Sequence, residues 1–532
     1  MENMMIGHII KREFFDHLNS LRFALTVLIL AALMVTNAVV HLQSHPDKVR
    51  RYSEGVTNDQ DKLQSETDLY ELLKKGPGKL YKRPSALSFI ADGGDAFLPG
   101  SGTKNWGSWS RSTTGFGGGR QVKVRSIWSM DYPTANPNAR DLRPKATKID
   151  WVFIITYLLS FIPLLFTFDA LSGEKERGTL RLCLANPISR PALLVGKFLG
   201  TLITVLISFY FAVLLNLAVI SLDSWTQLGW ADWGRLGMIM LIASGYTSIF
   251  IAVGLMVSAS TRDSRVSLVV LLIIWVGLVV FMPSSLGTLA TKWMPPVQTA
   301  HQQKMARSSA LDQINDDFNE QIANKRQVQS PPAELINQYQ DQLRKLAKTS
   351  PAAAEKFAKE IEAKLRLERM QLESQEGDTA GLHIRAELVN KDVEIREQLN
   401  REHLTAQLAQ VQRARMVTRF SPAAIVQYAL ESMTGTGLNR HLQFLEGVHL
   451  HVRQFRDFIT EADRADPESL HIIGIPEGMS KKPILPQALP RFEDDITFSD
   501  TFNAAIVDML LLVLLFGVFL SGAFLVFMRS DV

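Results

Sequence analysis

Cysteine is all but missing. Cys183 is the single one in 532 residues, so no intrachain disulfide can staple the polar parts, and they must hold by packing alone. A cysteine-based zinc framework is excluded for the same reason. Cys183 itself reads as a small buried thiol on an apolar face. Enzyme constellations are missing too. Glu402-His403 lacks the rest of a His-Glu-x-x-His pair, and no Gly-x-Ser-x-Gly elbow occurs. Gly117-Gly118-Gly119-Arg120 has neither the Gly-Lys-Ser/Thr ending of a phosphate loop nor an apolar strand before it. Gly196-Lys197 runs into Phe198, with no glycine at the required upstream position. No catalytic residue, metal site or cofactor is therefore expected on this chain, and it should not hydrolyse ATP by itself. The net charge of +4 argues neither for nor against a nucleic-acid partner; no nucleic-acid motif is present, so none is expected.

What is plentiful is apolar sequence, 46% of residues, gathered into runs of about 20, each enough to cross a bilayer core of ~30 Å. The expected fold class is membrane all-α. Spans are placed at 22–42, 150–168, 193–222, 235–258, 266–291 and 502–528, with polar inserts at 43–149 and 292–501 and connections at 169–192, 223–234 and 259–265. Ahead of them, Ile6, Ile9, Ile10, Phe14, Leu18 and Leu21 recur at three- and four-residue steps among Lys11, Arg12, Glu13 and Asp16. That pattern predicts an interfacial helix over 1–21; the blander alternative is a solvated start to the first span. Phe23 to Val40 is too long for a signal h-region and no small-x-small site follows, so the helix is expected to be retained. Trp225, Trp230 and Trp233 suit an interfacial belt. Pro283 should kink the fifth span.

The inserts read as a mainly α-helical external domain. The first has a helical stretch at Asp59 to Lys75, ended by Gly76-Pro77-Gly78, then a Gly- and Ser-rich loop from Asp92 to Gly119. In the second, Ser330-Pro331, Ser350-Pro351 and Ser421-Pro422 mark helix starts. Leu388, Ile395, Leu399, Leu404, Leu408 and Val411 suggest long paired helices. The apolar faces of the two inserts are expected to pack together. Lys11, Arg12 and Arg22, then Lys175, Arg177, Arg181, Arg190 and Lys197, then Arg262 and Arg265, then Arg529 all fall on one side of six spans. By the positive-inside rule that side is the cytoplasm, with both termini there and both inserts outside.

The stretch from Asp169 to Gly200 organises the rest. Gly173-Glu174-Lys175-Glu176-Arg177-Gly178-Thr179 is followed by Leu180, Leu182 and Leu184 beside Arg181, which predicts a short amphipathic helix at the membrane face, stopped by Pro187. Gly173 and Gly178 can break it at both ends. Mixed charges at Glu174 to Arg177 offer a surface for a partner; the plain alternative is a loop obeying the positive-inside rule. Gly196-x-x-x-Gly200 can let two helices approach closely.

Asp169, Ser172-Gly173-Glu174-Lys175-Glu176, Gly178-Thr179, the leucine-rich turn, Pro187-Ile188-Ser189-Arg190 and Gly196-Lys197 together resemble the cytosolic coupling segment of ABC-2 type transporter permeases. The branch most resembled is that of the multi-copper enzyme maturation and nitrous-oxide reductase maturation permeases. The resemblance implies a bacterial inner-membrane permease subunit, paired with a second copy or a related permease, surrounded by membrane lipid and contacted by a separate ABC ATPase subunit that carries ATP and Mg2+. It implies coupling through Gly173, Glu174, Lys175, Glu176, Arg177, Gly178, Thr179 and Arg181, with further contacts at Lys11, Arg12, Glu13, Arg262 and Arg265. The implied activity is outward movement or extraction of a substrate. The alternative is a mechanotransmitter whose external helices act on a periplasmic protein. The long inserts depart from the family pattern; within them Ser421 to Leu438 resembles a segment of large-insert members. The family label suggests copper at His441, His449, His451 and His471, but solvated or packed histidines account for them better. Asp508, inside the sixth span, is either a functional carboxylate or one snorkelling to the external interface.

Overall fold

The computed structural model describes residues 2–91, 121–125, 129–130, 149–185, 189–222, 226, 228–292, 302, 305–306, 308–310, 312–314, 316–320, 333–349, 354–364 and 377–530. The Gly-rich loop, Ser330-Pro331, Ser350-Pro351, Pro187 and Trp225 lie outside these. Among the described residues six helices are long and apolar enough to cross a membrane.

Helix α1 (Glu2–Leu18) stops where Ser20 intervenes. The Ser20 hydroxyl donates to the His17 carbonyl (2.6 Å) and accepts from Phe23 N–H (3.3 Å), closing one helix and capping the next. Helix α2 (Leu21–Gln64) then runs 44 residues without a break, about 65 Å at 1.5 Å per residue. It crosses the apolar core and continues as the first part of the insert, passing Pro46. The expected helix from Asp59 to Lys75 is in fact two. Asp68 accepts from Tyr70 and Glu71 N–H and starts α3 (Leu69–Lys75), which ends at Gly76 with a φ of 64°. Strands β1 (Gly78–Tyr81), β2 (Gln121–Arg125) and β3 (Ser129–Met130) form a small antiparallel sheet in that order, an element too short to show in the sequence pattern.

The second span, α4 (151–167), is capped by Asp150. It contains a π-helical turn at Ile154–Leu158. Helices α5 (Ser172–Glu176) and α6 (Thr179–Ala185) follow. The third and fourth spans are α7 (Arg190–Ile220) and α8 (Trp230–Ser260). The fifth, α9 (264–292), has its own π-helical turn at Val276–Phe281, directly before Pro283. The proline ring presses on the carbonyl four residues back, and one wider turn absorbs it. Each π turn has a carbonyl bonded from outside: Tyr246 Oη donates to Thr156 (3.0 Å) and Ser421 Oγ to Leu278 (2.8 Å), as apolar surroundings demand.

In the second insert lie α10 (Ala333–Thr349), α11 (Gly377–Thr418), α12 (Pro422–Met433) and α13 (Leu438–Arg464); α14 (Phe498–Arg529) is the sixth span. Although it falls within the stretch 292–501, read as external, α12 packs into the bundle. Ile425, Val426, Ala429, Leu430 and Met433 share one core with Leu30, Met34, Trp151, Phe209, Tyr246, Val279 and Leu512 of the spans. Pro422 opens α12, yet the Ser421 hydroxyl bonds the neighbouring span rather than its own helix. At the same level Arg419 forks onto Asp508 (2.7 and 3.1 Å). Asp508 is 1% exposed, so it is a buried clamp and does not snorkel. Asn216 donates to Met34 carbonyl and Asn37, and Asn37 donates to the carbonyls of Phe89 and Ile149. These bonds tie Phe89 and Ile149 of the first insert to the first and third spans.

Beyond the bundle the two inserts share a second core: Leu69, Leu72, Leu73 and Leu80 of the first pack with Val393, Phe444, Leu445, Val448, Phe455, Ile459 and Met479 of the second. Of the leucine repeat on α11, Leu408 leans on this core. Trp230 and Trp233 sit exposed at the start of α8.

Candidate functional site

The site lies at the opposite end, where α5 and α6 join the second span to the third. Its start is satisfied from another span: Leu171 and Ser172 N–H both donate to Ser258 Oγ of α8, each at 3.0 Å. Ser258 in turn donates to Phe168 carbonyl. A buried serine thus replaces the cap that Leu171 cannot provide. Gly178, with a φ of 72°, turns the chain between α5 and α6. Where one amphipathic helix was expected, there are two.

The charged residues divide by direction. Asp169 holds Arg22 at the head of α2 in a two-pronged pair (3.0 and 3.2 Å). Glu174 points inward to Lys197 Nζ of α7 at 2.8 Å. Lys175 donates to Ala259 carbonyl at the end of α8. Glu176 accepts from Ser264 Oγ (2.8 Å) and N–H (3.3 Å), capping the helix that begins the fifth span. Arg190 donates to the carbonyls of Met528 and Ser530 at the end of α14. Leu180 is buried with Leu194, Leu255 and Phe527. From Asp169 to Glu176 the chain is therefore bonded to the first, third, fourth and fifth spans, and Arg190 at the head of the third span is bonded to the end of the sixth.

Arg177, Gly178, Thr179, Arg181 and Leu182 remain exposed, as do Lys11, Arg12, Arg262 and Arg265. Cys183 is half-buried on α6, more open than the buried thiol expected. Glu13, grouped in the sequence reading with Lys11 and Arg12, turns the other way and reaches Lys197 at 2.6 Å. The Lys197 side chain is 3% exposed. His17 Nε2 lies 3.8 Å from Glu13, but burial pushes its pKa below the ordinary range, so the ring is neutral near pH 7.

Helix α1 lies on α7 across Gly196 and Gly200. A Cβ at Gly196 would sit 2.6 Å from Ile9 Cγ2, and one at Gly200 2.8 Å from Glu13 Cβ. The small-residue stripe is where α1 seats. A similar approach joins the second and fourth spans, where a Cβ at Gly254 would collide with Thr167.

Ser258 and Ser264 carry no sequence signal, being two serines near the ends of apolar runs. Lys197 and Asp169 stood out by their motif, but not their partners. Among the described residues no three His, Cys, Asp or Glu side chains form a metal-holding group. His451 packs between Phe455 and Phe492, and burial lowers its pKa to about 4; His471 meets Asp463 at 3.3 Å.

Six spanning-length helices among the described residues, an amphipathic helix lying on them and one built joint define a polytopic α-helical membrane protein. The chain belongs to the ABC-2 family: the family model of the ABC-2 family transporter protein matches residues 8–532. Two curated relatives carry the name probable ABC transporter permease protein NosY. The one from Stutzerimonas stutzeri is 31% identical over 134 residues, 24% of this chain and 47% of that protein. The one from Pseudomonas aeruginosa is 47% identical over 55 residues, 10% of this chain and 20% of that protein. The chain thus spans under half the length of each of these relatives.

Proposed function

We propose that this protein is the permease subunit of an ABC-2 type transporter in a bacterial inner membrane, moving or extracting a substrate outward with ATP hydrolysed on a separate subunit. That subunit, carrying ATP and Mg2+, seats on the α5–α6 turn at Arg177, Gly178, Thr179, Arg181 and Leu182, with Lys11, Arg12, Arg262 and Arg265 at the rim. A second permease, a copy or a relative, completes the unit. Both termini are cytosolic and both inserts periplasmic. The observation that carries this reading is the joint: a push on one exposed turn meets a segment bonded to four other spans, so a local displacement is passed to the bundle rather than absorbed by a loose loop. Gly173, Glu174, Lys175 and Glu176 then act by fastening the turn rather than by touching the partner.

One observation favours a second reading, in which external helices move a periplasmic protein and nothing crosses. Helix α2 is a continuous rod from the joint into the insert, and α11 is clamped to the bundle at Arg419 and Ser421. Both suit levers.

The test is capture. The protein, purified in lipid nanodiscs from its native membrane, should bring an ATP-hydrolysing subunit with it. Arg177→Glu/Arg181→Glu should cut that capture by about tenfold or more, since reversed charges at a docking rim repel a complementary surface. Intact protein that brings no ATPase under several mild conditions defeats the proposal. Capture together with ATP-driven motion of α11, but no substrate movement in vesicles, favours the second reading.

A further inference from the structure

Lys197 is the motif residue that docking leaves unexplained, because a side chain 3% exposed cannot touch a partner. It lies between two carboxylates on different elements, Glu13 of α1 at 2.6 Å and Glu174 of α5 at 2.8 Å. One ammonium therefore serves two acids. Glu174 Oε2 is buried and has no hydrogen-bond partner among the described residues. His17, neutral, adds no charge. The cluster carries one negative charge too many and one acceptor too many. A lone structural ion pair would be better balanced, since an unmet buried carboxylate oxygen is costly.

We propose that Lys197 is a positioning residue that passes movement of α5 to α1, the two carboxylates competing for its one ammonium. This rests on the coupling reading above. When α5 shifts so that both Glu174 oxygens reach Lys197, the hold on Glu13 weakens. When α5 withdraws, Glu13 takes the larger share. Because α1 lies against Gly196 and Gly200 through Ile9 and Glu13, its seat on α7 follows that share. The interfacial helix thus becomes a second moving part, set by the turn that the ATPase presses. No new covalent step is involved; the arrangement needs only two positions of nearly equal energy.

Glu13→Gln separates this role from a structural one. It leaves a balanced Lys197–Glu174 pair, and the amide oxygen can still accept from Lys197, so a merely structural cluster would keep or gain thermal stability. The experiment uses the captured complex in nanodiscs with Cys183→Ser. Spin labels are placed at Asp16→Cys on α1 and Met528→Cys at the end of α14, both exposed. Their separation is measured by pulsed EPR with and without Mg2+ and a non-hydrolysable ATP analogue. The expected result is a nucleotide-dependent change in distance that is lost in Glu13→Gln, with ATPase capture and melting temperature maintained, and a fall in ATP turnover by the complex of about fivefold or more. Glu13→Asp, which keeps the charge, should restore part of the change. A Glu13→Gln protein with the full distance change and full turnover overturns the proposal, as does a parent protein whose α1 does not move with nucleotide while the ATPase is bound. Failure of the parent protein to capture any ATPase overturns the coupling reading and this one with it, and is read in a separate step.

Discussion

Two buried acid–base clusters mark the two ends of the bundle, and they are built differently. At the insert end Arg419 forks onto Asp508, one cation to one carboxylate, with both acid oxygens engaged. At the α5 end Lys197 serves both Glu13 and Glu174, and one oxygen of Glu174 is left over. A matched fork has one good geometry and holds it. A shared ammonium has two, each satisfying one acid at the expense of the other. The contrast separates a clamp from a pivot, and it matches what surrounds each. The clamp fixes the junction of α11 and α12 to the bundle, where α12 shares the core of the spans. The pivot lies beside the short α5, where the Leu171 and Ser172 N–H groups and the Lys175 side chain bond to the fourth span.

The comparison can be broken most directly at the clamp. Arg419→Met leaves Asp508 buried without its cation and should cost about 3–5 kcal/mol, read as a lower melting temperature in nanodiscs and protease cutting within α11. A loss no larger than that of Glu13→Gln would mean that the two clusters do not differ as described.

Acid should loosen the insert end through His451. Its folded pKa, about 4, is below the ordinary 6.5, so as pH falls through that window the unfolded chain takes up a proton that the folded one refuses. Stability is complete above about 6.5 and declines by about 3 kcal/mol toward pH 4. Calorimetric melting between pH 7 and 4 should show the decline, and His451→Leu should flatten it. An unchanged slope in that variant would remove His451 from the account.

The smallest effect is expected at Ser258. Ser258→Ala strips the acceptor from Leu171 and Ser172 N–H and should cost about 1–2 kcal/mol. Amide exchange confined to residues 171–176 checks it. Exchange spreading through the fourth span would show that the joint is no local unit.

Much of this protein was legible beforehand because its strongest signals are compositional. Runs of apolar residues set the number of spans, and the cationic loops between them fall at one end. The site was legible as a motif, though not which of its charges bond back to the bundle. Glu174, Lys175 and Glu176 look like surface charges when only their type is known. In the fold Glu174 meets Lys197, Lys175 a helix C-terminus and Glu176 a helix N-terminus. The reach of α2 was hidden for another reason. Its outer half is polar, and hydropathy registers where a helix leaves lipid but not where it ends. Helix α12 was hidden because an apolar stretch of twelve residues is short of a span and is equally at home in a soluble core.

What the sequence alone determined is therefore the broad partition of the chain: six stretches apolar enough for lipid, two long polar ones, and a charged turn after the second span. Solvent preference is a property of residue type summed along the chain. What only the tertiary structure decided is pairing: that Gly196 and Gly200 receive α1, that Ser421 serves a carbonyl of the fifth span, that the two inserts share a core, and that one lysine holds two acids. Pairing depends on distances between residues far apart in the chain, and hydropathy and spacing do not encode those until the helices have packed.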